Sequence, residues 1–367
     1  MFKQIIATNP VLDWDNLTFG SSHSPPYPLL TNNIKFYGYA RYGLYDALKT
    51  MKLREGDSLL LPQKICNVVL APINALRLKV KYYRTDEKWQ IDLNHTEDIL
   101  DNRTRAILAV NYFGFPQPFG EIKSFCRRHN LYFIEDNSQG FLSSLNGKQL
   151  GSFGDVALFS FRKTVPIPNG AAVVVNHPQL WEEFAKTKQS SNLWRRNGRY
   201  ILRTFARIIE QKTHIPCISS LVSLMQKRKS IETLEALEYN LKDFSEPISI
   251  VSQHLLKYFD YPKLVHLRRK AFSFWQEYFA CNENMEAQPL FDTLPDDAVP
   301  YAFPVKVEKK PDEILQMFLK DGIECSFWAL YPKEVQKLGL NRILLIPVHY
   351  LPKKFAFNTT EDKQRWC

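Results

Sequence analysis

The chain has 367 residues and a formal net charge of +10, with 45% hydrophobic and 23% charged residues. This length predicts two domains, and the composition is that of a globular protein. No apolar run approaches the roughly 20 residues of a membrane-spanning helix, and the first residues lack the features of a signal peptide, so neither is expected.

The positive charge is concentrated in one segment. Residues 186–229 contain eleven Lys and Arg residues and one acidic residue, Glu210, so this segment accounts for the whole excess. The rest of the chain is balanced and has no zinc-finger or RNP pattern, which argues against nucleic-acid binding. Six cysteines are scattered without a CxxC spacing or a Cys/His cluster. They predict neither a zinc site nor a disulfide framework and favour a cytoplasmic location.

Strands and helices alternate through the first half of the chain. Residues 1–35 are rich in Pro, Ser and Asn and are expected to be irregular. Beyond them, helices are expected within 42–52, 66–77, 93–104 and 119–130, and strands within 53–62, 79–84, 105–113, 131–136, 155–161 and 170–176. The strands are apolar at consecutive positions. The pattern therefore predicts an α/β fold with a mostly parallel sheet flanked by helices.

The pattern changes after residue 176. Residues 178–245 are helical and basic, and 254–279 predict a long helix interrupted near Pro262. A strand (301–307), a helix (311–322), a strand (324–328) and a strand or turn (343–352) then predict a small α+β domain. We therefore expect three parts, namely an irregular segment 1–35, a large domain 36–250 with a basic insertion at 186–246, and a small domain 251–367.

Polar side chains follow two of the predicted strands. Asp136 ends one strand, and Ser160 and Lys163 follow another. Ligands of open α/β sheets bind at the carboxyl ends of strands and at helix N-termini, so these side chains are expected to converge with the helix start near Arg41. A lysine amine attacks carbonyl carbons, and a carboxylate keeps a pyridine nitrogen protonated. The set therefore suggests a site for pyridoxal 5′-phosphate (PLP), although each residue alone is more often a solvated strand end.

Longer motifs in the same region are more specific. LYFIEDNSQGF (131–141) and GKQLGSFGDVALFSF (147–161) resemble motifs of the DegT/StrS family of PLP-dependent sugar aminotransferases. LREGDSLLLP, NRTRAILAVNYFGFPQP, DGIECSFWALYP and LLIPVHYLP extend the resemblance over nearly the whole chain. The resemblance implies the fold-type-I aminotransferase architecture, a homodimer, and a nucleotide-linked keto-sugar and an amino-acid donor as substrates.

The resemblance also implies roles for individual residues. Asp136 matches the partner of the pyridine nitrogen, and Lys163 is the best match to the lysine that forms a Schiff base with PLP. Four further positions match cofactor contacts, namely Gln139 at the phenolic oxygen, Ser160 at the phosphate, and Arg41 and Tyr42 at the helix start that holds the phosphate. Cys66 stands where the family has an aromatic residue stacked on the ring, and Asn111 stands where a histidine is common.

The position of the lysine departs from the family pattern. Lys163 follows Ser160 by three residues, whereas the family lysine usually follows by five. A dehydratase branch of the family has a histidine instead of the lysine. No histidine lies near Ser160, which favours transamination in the biosynthesis of amino sugars or polysaccharides. The alternative is a catalytically inactive family member that binds sugars, regulates, or acts as a scaffold at a membrane surface.

The basic segment allows two interpretations. Trp194, Ile201 and Phe205 fall on one side of a predicted helix, and Arg195, Arg199, Arg203 and Arg207 fall on another. A basic amphipathic helix of this kind predicts peripheral membrane contact through 190–229. Packing of the helix against its own domain or a dimer partner, with solvated arginines, explains the pattern equally simply and is favoured.

Overall fold

The computed structural model describes residues 24–188, 246–282, 285–328 and 342–350, together with five isolated residues, Pro10, Leu12, Leu17, Pro332 and Val335. Most of the segment 1–35 and nearly all of the basic insertion, including 190–229, lie outside the described residues. The predictions made for those segments therefore stay predictions.

Nine strands and five helices form the large domain within the described range 24–188. The strands are β1 (Ile34–Tyr37), β2 (Ser58–Pro62), β3 (Lys79–Tyr83), β4 (Thr104–Val110), β5 (Tyr132–Asn137), β6 (Ser144–Leu145), β7 (Lys148–Gln149), β8 (Val156–Phe159) and β9 (Ala171–Val175). The helices are α1 (Ala40–Thr50), α2 (Leu70–Ala75), α3 (Leu93–Asp98), α4 (Phe119–His129) and α5 (Pro178–Ala185). Every helix and strand predicted in this range is confirmed.

The central sheet has seven strands in the order β1-β9-β8-β5-β4-β2-β3. The pairs β3–β2, β2–β4, β4–β5 and β5–β8 are parallel, and β9 is antiparallel to both β8 and β1. Six strands therefore run in one direction and β9 runs against them, which confirms the mostly parallel sheet. All residues of β2 and β9 are buried, as expected for strands with both faces covered.

Two features of the large domain were not predicted. β1 begins at Ile34, inside the segment expected to be irregular, and it pairs with β9 at the edge of the sheet. The short hairpin β6–β7 turns at Asn146 and Gly147, both of which have positive φ. Asn-Gly is a strong signal for such a turn, so the sequence contained the information for this hairpin.

The second part of the chain contributes three helices and four strands among its described residues. They are α6 (Ile250–Tyr258), α7 (Tyr261–Cys281), β10 (Ala287–Pro289), β11 (Ala302–Val307), α8 (Pro311–Lys320), β12 (Ser326–Phe327) and β13 (Arg342–Pro347). The strands form an antiparallel sheet in the order β10-β11-β13-β12. The predicted interruption near Pro262 is confirmed, because α6 ends at Tyr258 and Asp260 caps a new helix at the amide of Lys263.

Helix α7 connects the two sheets. Its first turns place Tyr261 and Leu264 in a hydrophobic cluster with Phe159 and Val174 of the large sheet. Its later turns place Phe272 and Trp275 in the main core, together with β11 and β13 of the small sheet. The two parts of the chain therefore share a continuous core, and the exact domain boundary near residue 250 stays a prediction.

The cysteines differ from expectation at one position. Cys66, Cys126 and Cys325 are free thiols, whereas Cys281 at the end of α7 is disulfide-bonded, a bond that the scattered cysteines gave no signal for. Among the described residues there is no group of three His, Cys, Asp or Glu side chains able to hold a metal ion. In the same part of the chain, no helix is both long enough and apolar enough to cross a membrane.

Candidate active site at the carboxyl edge of the sheet

The predicted site residues follow strands that end at the same edge of the sheet. Asp136 lies near the end of β5, Ser160 directly follows β8, and Cys66 lies in the loop after β2. After Ser160 the chain turns into a short 3₁₀ helix, Phe161–Lys163. Because β2, β5 and β8 are parallel, their carboxyl ends bring these residues together, as open α/β sheets do for ligands.

Asp136 and Glu135 point to opposite faces of β5, as neighbouring strand residues must. The carboxylate of Glu135 is buried and accepts hydrogen bonds from the amides of Gly151, Phe153 and Gly154. Burial raises the pKa of Glu135, and these amides oppose that shift. Asp136 is also buried, and its Oδ1 accepts a bond of 2.9 Å from the amide of Ser138. Glu135 is therefore a structural carboxylate, and Asp136 is the one near the other site residues.

The amine of Lys163 lies within electrostatic range of Asp136. Burial of the amine lowers the pKa of Lys163, while the negative charge of Asp136 and the nearby Cys66 oppose that shift. The residue as a whole is half-buried. The Lys163 Nζ atom lies 6.0 Å from the centre of the Tyr301 ring. Asp136, Cys66 and Tyr301 thus lie near the Lys163 amine, and the roles predicted for the first two stay predictions.

Tyr301 and Arg268 belong to the site region but were missed from the sequence. Burial raises the pKa of the Tyr301 phenol, and the positive charges of Arg162 and Arg268 oppose this. Arg268 is buried and donates to the carbonyl oxygens of Pro300, Tyr301 and Thr164. Burial lowers the pKa of Arg268 to about 10. In the sequence Arg268 is one of three consecutive basic residues on a helix, a pattern typical of a solvated face.

Gln139 and Asn111 are held by hydrogen bonds at the same edge. The side-chain oxygen of Gln139 accepts from the amide of Phe113 at 2.9 Å, and the carbonyl of Phe113 accepts from the amide of Tyr301. Asn111 is buried and donates to the side chains of Glu135 and Asn137. Phe113 has a φ of 56°, a strained conformation for an aromatic residue that is typical of functional sites.

The start of α1 lies beside the turn that carries Lys163. The ring of Tyr39 lies under the guanidinium groups of Arg41, at 4.4 Å, and Arg162, at 5.5 Å. Arg41 also donates to the hydroxyl of Tyr42. The amide of Tyr42 donates to the carbonyl of Tyr39 within the first turn. The predicted helix start is therefore next to the predicted lysine turn, and it presents positive charge there.

A second lysine with a lowered pKa lies close to Cys66. Burial lowers the pKa of Lys64 to about 8, and the nearby Asp86 and Glu87 oppose the shift. Its Nζ atom lies 4.8 Å from the centre of the Trp89 ring. Lys64 follows β2 by two residues, so its place after a strand was the one sequence signal that could have identified it.

These residues form a donor set that fits PLP. A carboxylate, a desolvated amine, a serine hydroxyl and a positively charged helix start are the groups that the pyridine nitrogen, the aldehyde and the phosphate of PLP require. Val165, at the position where the family lysine is usual, is fully buried in an apolar cluster with Phe141 and Phe161. Lys163 therefore stays the predicted cofactor lysine of this loop.

Comparison with known proteins gives the same family. A model of the DegT/DnrJ/EryC1/StrS aminotransferase family matches residues 40–341. The chain is 31% identical to GDP-perosamine synthase of Escherichia coli O157:H7 over 145 residues, which is 38% of this chain and 39% of that protein. It is 25% identical to GDP-4-keto-6-deoxy-D-mannose 3-dehydratase of Yersinia pseudotuberculosis over 283 residues, which is 76% of this chain and 66% of that protein. The matches thus cover less than two thirds of the length of either relative.

Solved structures share the fold at low sequence identity. PseC of Helicobacter pylori, an aminotransferase involved in pseudaminic acid biosynthesis, matches with a TM-score of 0.64 and 16% identity, over 99% of this chain and 97% of that one. The putative sugar aminotransferase Spr1654 of Streptococcus pneumoniae in its PLP form matches with a TM-score of 0.66 and 12% identity, over 99% and 100%. They confirm the fold-type-I aminotransferase architecture. Because the family model also spans most of the sequence, this chain belongs to the DegT/DnrJ/EryC1/StrS aminotransferase family.

Proposed function

We propose that this chain is a PLP-dependent aminotransferase that transfers the amino group of an amino acid such as glutamate to a nucleotide-linked keto-sugar. The observation that carries the proposal is the Lys163 amine near Asp136, with its pKa lowered by burial. A neutral amine is the nucleophile that joins an aldehyde. The names of the relatives support the substrate class, because they include GDP-perosamine synthase and a UDP-sugar transaminase. Such a product belongs to amino-sugar or polysaccharide biosynthesis.

The roles of the residues follow from their places at the carboxyl edge. PLP, when bound here, supplies an aldehyde and an electron-withdrawing ring. Asp136 would hold a proton on the ring nitrogen through a carboxylate that the amide of Ser138 orients. Lys163 would hold the cofactor by its aldehyde through Nζ, and the same amine would serve as the base for the donor Cα proton. Burial lowers the pKa of Lys163 and so favours the neutral form of Nζ, which is the form that can accept a proton.

Other residues hold the cofactor in place. The hydroxyl of Ser160 and the start of α1, at Arg41 and Tyr42, would bind the phosphate through hydrogen bonds and positive charge. Cys66 would take the place at the ring face where the family has an aromatic residue. Gln139 positions the turn at Phe113 and would face the phenolic oxygen. Donors fixed in this way would orient a bound cofactor toward Lys163.

Dehydration is a separate outcome, because one relative is named as a 3-dehydratase. Loss of a hydroxyl group in that branch accompanies a histidine in place of the lysine, as the family resemblance implies. Here the turn after Ser160 reads Phe161, Arg162 and Lys163 and contains no histidine. A lysine at this point favours amino transfer over dehydration.

A second candidate function is binding without catalysis. The spacing of three residues between Ser160 and Lys163, together with the buried Val165, favours a family member that binds sugars, regulates, or acts as a scaffold at a membrane surface. In that case the fold and the phosphate contacts would persist, and Lys163 would not exchange an amino group. The two candidates therefore differ in turnover and agree in structure.

An amino-transfer assay separates the candidates. Purified protein with PLP and glutamate is incubated with GDP- and UDP-linked keto-sugars, including GDP-4-keto-6-deoxy-D-mannose, and the products are identified by mass spectrometry. We expect an amino sugar from the wild type and none from Lys163→Ala, with Lys188→Ala as the matched control. A deoxygenated keto-sugar would instead indicate dehydration, and no product from any sugar would favour binding alone.

The assembly and the location remain predictions. A homodimer would place two such sites in one particle, and light scattering of the purified full-length chain tests it directly. The cytoplasmic location and the peripheral membrane contact through 190–229 are tested by cell fractionation and by sedimentation with anionic vesicles at low salt.

A further inference from the structure

A second concave surface lies at the opposite edge of the central sheet. A cleft of about 750 Å³ opens where β4 and β5 begin and where α1 and α4 end. Tyr132 at the start of β5 lines it, whereas Asp136, four residues later on the same strand, lies at the candidate active site. At about 3.3 Å per strand residue, the two places are roughly 13 Å apart through the sheet. The cleft is therefore a separate site.

The lining of the cleft is strongly positive. Two acidic residues, Asp57 and Asp155, line it, and five basic residues do so, namely Lys52, Arg54, Arg105, Lys123 and Arg127. The excess of three positive charges is local, because outside 186–229 the chain is balanced. Converging cations with low-dielectric walls raise the local concentration of anionic ligands.

Both carboxylates of the cleft already accept hydrogen bonds from backbone amides. Asp57 is buried, accepts a bond of 2.8 Å from the amide of Arg54, and lies 3.7 Å from the guanidinium of Arg105. Asp155 accepts a bond of 2.8 Å from the amide of Phe133. In contrast, Lys123 and Arg127 form no ion pair with any other residue that the structure describes. The basic side chains therefore retain charge that an incoming anion can neutralise.

Apolar side chains lie beneath the charged rim, although polar atoms form the larger part of the accessible lining. Met51, Cys126, Leu131 and Phe133 are buried there, and the half-buried rings of Tyr132 and Phe153 complete the wall. The volume falls within the range of about 300–1,000 Å³ that small-molecule sites occupy. A ligand that fits both parts has phosphate groups for the basic rim and a flat apolar ring for the apolar side chains beneath it.

We propose that this cleft is a second ligand site, which binds a nucleotide through its phosphates and its base and is distinct from the PLP site. A simpler explanation exists for some of the charge, because Arg127 lies in the last turn of α4, where cations are stabilised by the helix dipole. That explanation does not cover Lys123, which lies before the last turn of α4, or the apolar side chains beneath the charges. The concave shape and the balanced surroundings favour a small molecule over a polynucleotide.

Lys123 and Arg127 offer a clean variant. They are exposed and one helical turn apart on α4, so Lys123→Gln/Arg127→Gln changes charge without disturbing the core. Arg128→Gln is the matched control, since Arg128 lies in the same turn, contacts the Phe125 ring instead, and does not line the cleft. Both proteins are made as the full chain, and retained PLP binding shows that the active site is intact.

Hydrogen exchange measured by mass spectrometry locates the binding. We expect GDP or UDP to slow exchange of the backbone over 52–57 and 123–133. We expect Lys123→Gln/Arg127→Gln to require at least about tenfold more nucleotide for the same protection. Arg128→Gln should require the same concentration as the wild type. Absence of protection in the wild type, equal protection in the double variant, or equal loss in Arg128→Gln would overturn the proposal.

Two further ligands test its chemistry. Inorganic diphosphate should protect the same segments more weakly than GDP, because it has no base to contact the apolar side chains. Equal protection would show that the base contributes nothing and that the ligand is not a nucleotide. Poly(U) that displaces GDP and protects these segments more strongly would identify a polynucleotide surface and also contradict the proposal. Neither result depends on the proposed aminotransferase activity.

Discussion

The guanidinium of Arg268 donates a hydrogen bond of 3.0 Å to the carbonyl oxygen of Thr164, the residue that follows Lys163. The same side chain donates to the carbonyls of Pro300, at 2.8 Å, and Tyr301, at 3.0 Å. One buried cation on α7 therefore connects the lysine loop with the segment that presents Tyr301. We therefore expect Arg268 to act as a positioning residue for Lys163.

Replacing Arg268 by methionine should loosen this connection. Arg268→Met leaves three buried carbonyls without donors, and we expect a loss of about 2–5 kcal/mol in the free energy of unfolding. The decrease in turnover should exceed what the lost stability alone would cause. We expect kcat to fall at least about tenfold, with little change in the KM for the amino donor. Arg269→Met is the matched control, because Arg269 donates to Pro295 and Ala298 at the surface. Equal kcat values for the two variants would contradict a positioning role.

Asp136 can be tested without removing its structural hydrogen bond. In Asp136→Asn the side-chain oxygen can still accept from the amide of Ser138, but the negative charge is lost. We expect kcat to fall at least about a hundredfold while the thermal unfolding midpoint stays within a few degrees. Asp297→Asn, which changes an acceptor of the Gly147 amide at the surface, should leave kcat unchanged. Full activity of Asp136→Asn would remove this carboxylate from the mechanism.

Replacing Glu135, the neighbouring carboxylate, should lower the stability of the fold. Glu135 accepts three backbone amides, and the Gln side chain of Glu135→Gln would place its NH₂ group against one or more of those donors. We expect a loss of about 2–4 kcal/mol in the free energy of unfolding, measured by urea denaturation. The exposed Glu182→Gln should change stability by less than about 0.5 kcal/mol. A neutral Glu135→Gln would show that the amides find other acceptors.

The sequence predicted the part of the site that lies at strand ends. Asp136 and Ser160 follow apolar strands, and the parallel order of the sheet brings such ends together. Tyr301 and Arg268 carry no comparable signal, because they approach Lys163 through contacts between segments more than a hundred residues apart in the sequence. Arg268 in particular lies in a run of basic residues, and only tertiary packing distinguishes the buried one. The edge strand β1 was missed for a related reason. It is only four residues long, and its position in the sheet depends on pairing with β9.

The stability of the protein without PLP should depend on the Lys163 amine. Because burial lowers the pKa of Lys163 in the folded protein, the unfolded chain binds more protons at this group between the folded and unfolded pKa values. The free energy of unfolding therefore rises with pH in that window. It decreases again as the pH falls toward the folded pKa, because the buried amine must then carry its proton. We expect Lys163→Met to stabilise the PLP-free protein by about 1 kcal/mol at neutral pH, with a smaller gain at higher pH, although activity is abolished. A destabilised Lys163→Met would contradict a desolvated amine.

The central claim is that Lys163 carries the cofactor, and the most direct measurement is the site of covalent PLP attachment. The protein is incubated with PLP, reduced with borohydride, digested, and mapped by mass spectrometry, with Lys163→Ala and Lys64→Ala in parallel. We expect a PLP-modified peptide containing Lys163 in the wild type and in Lys64→Ala, and its loss in Lys163→Ala. Modification of Lys64 instead, or no stable adduct at either lysine, would contradict it.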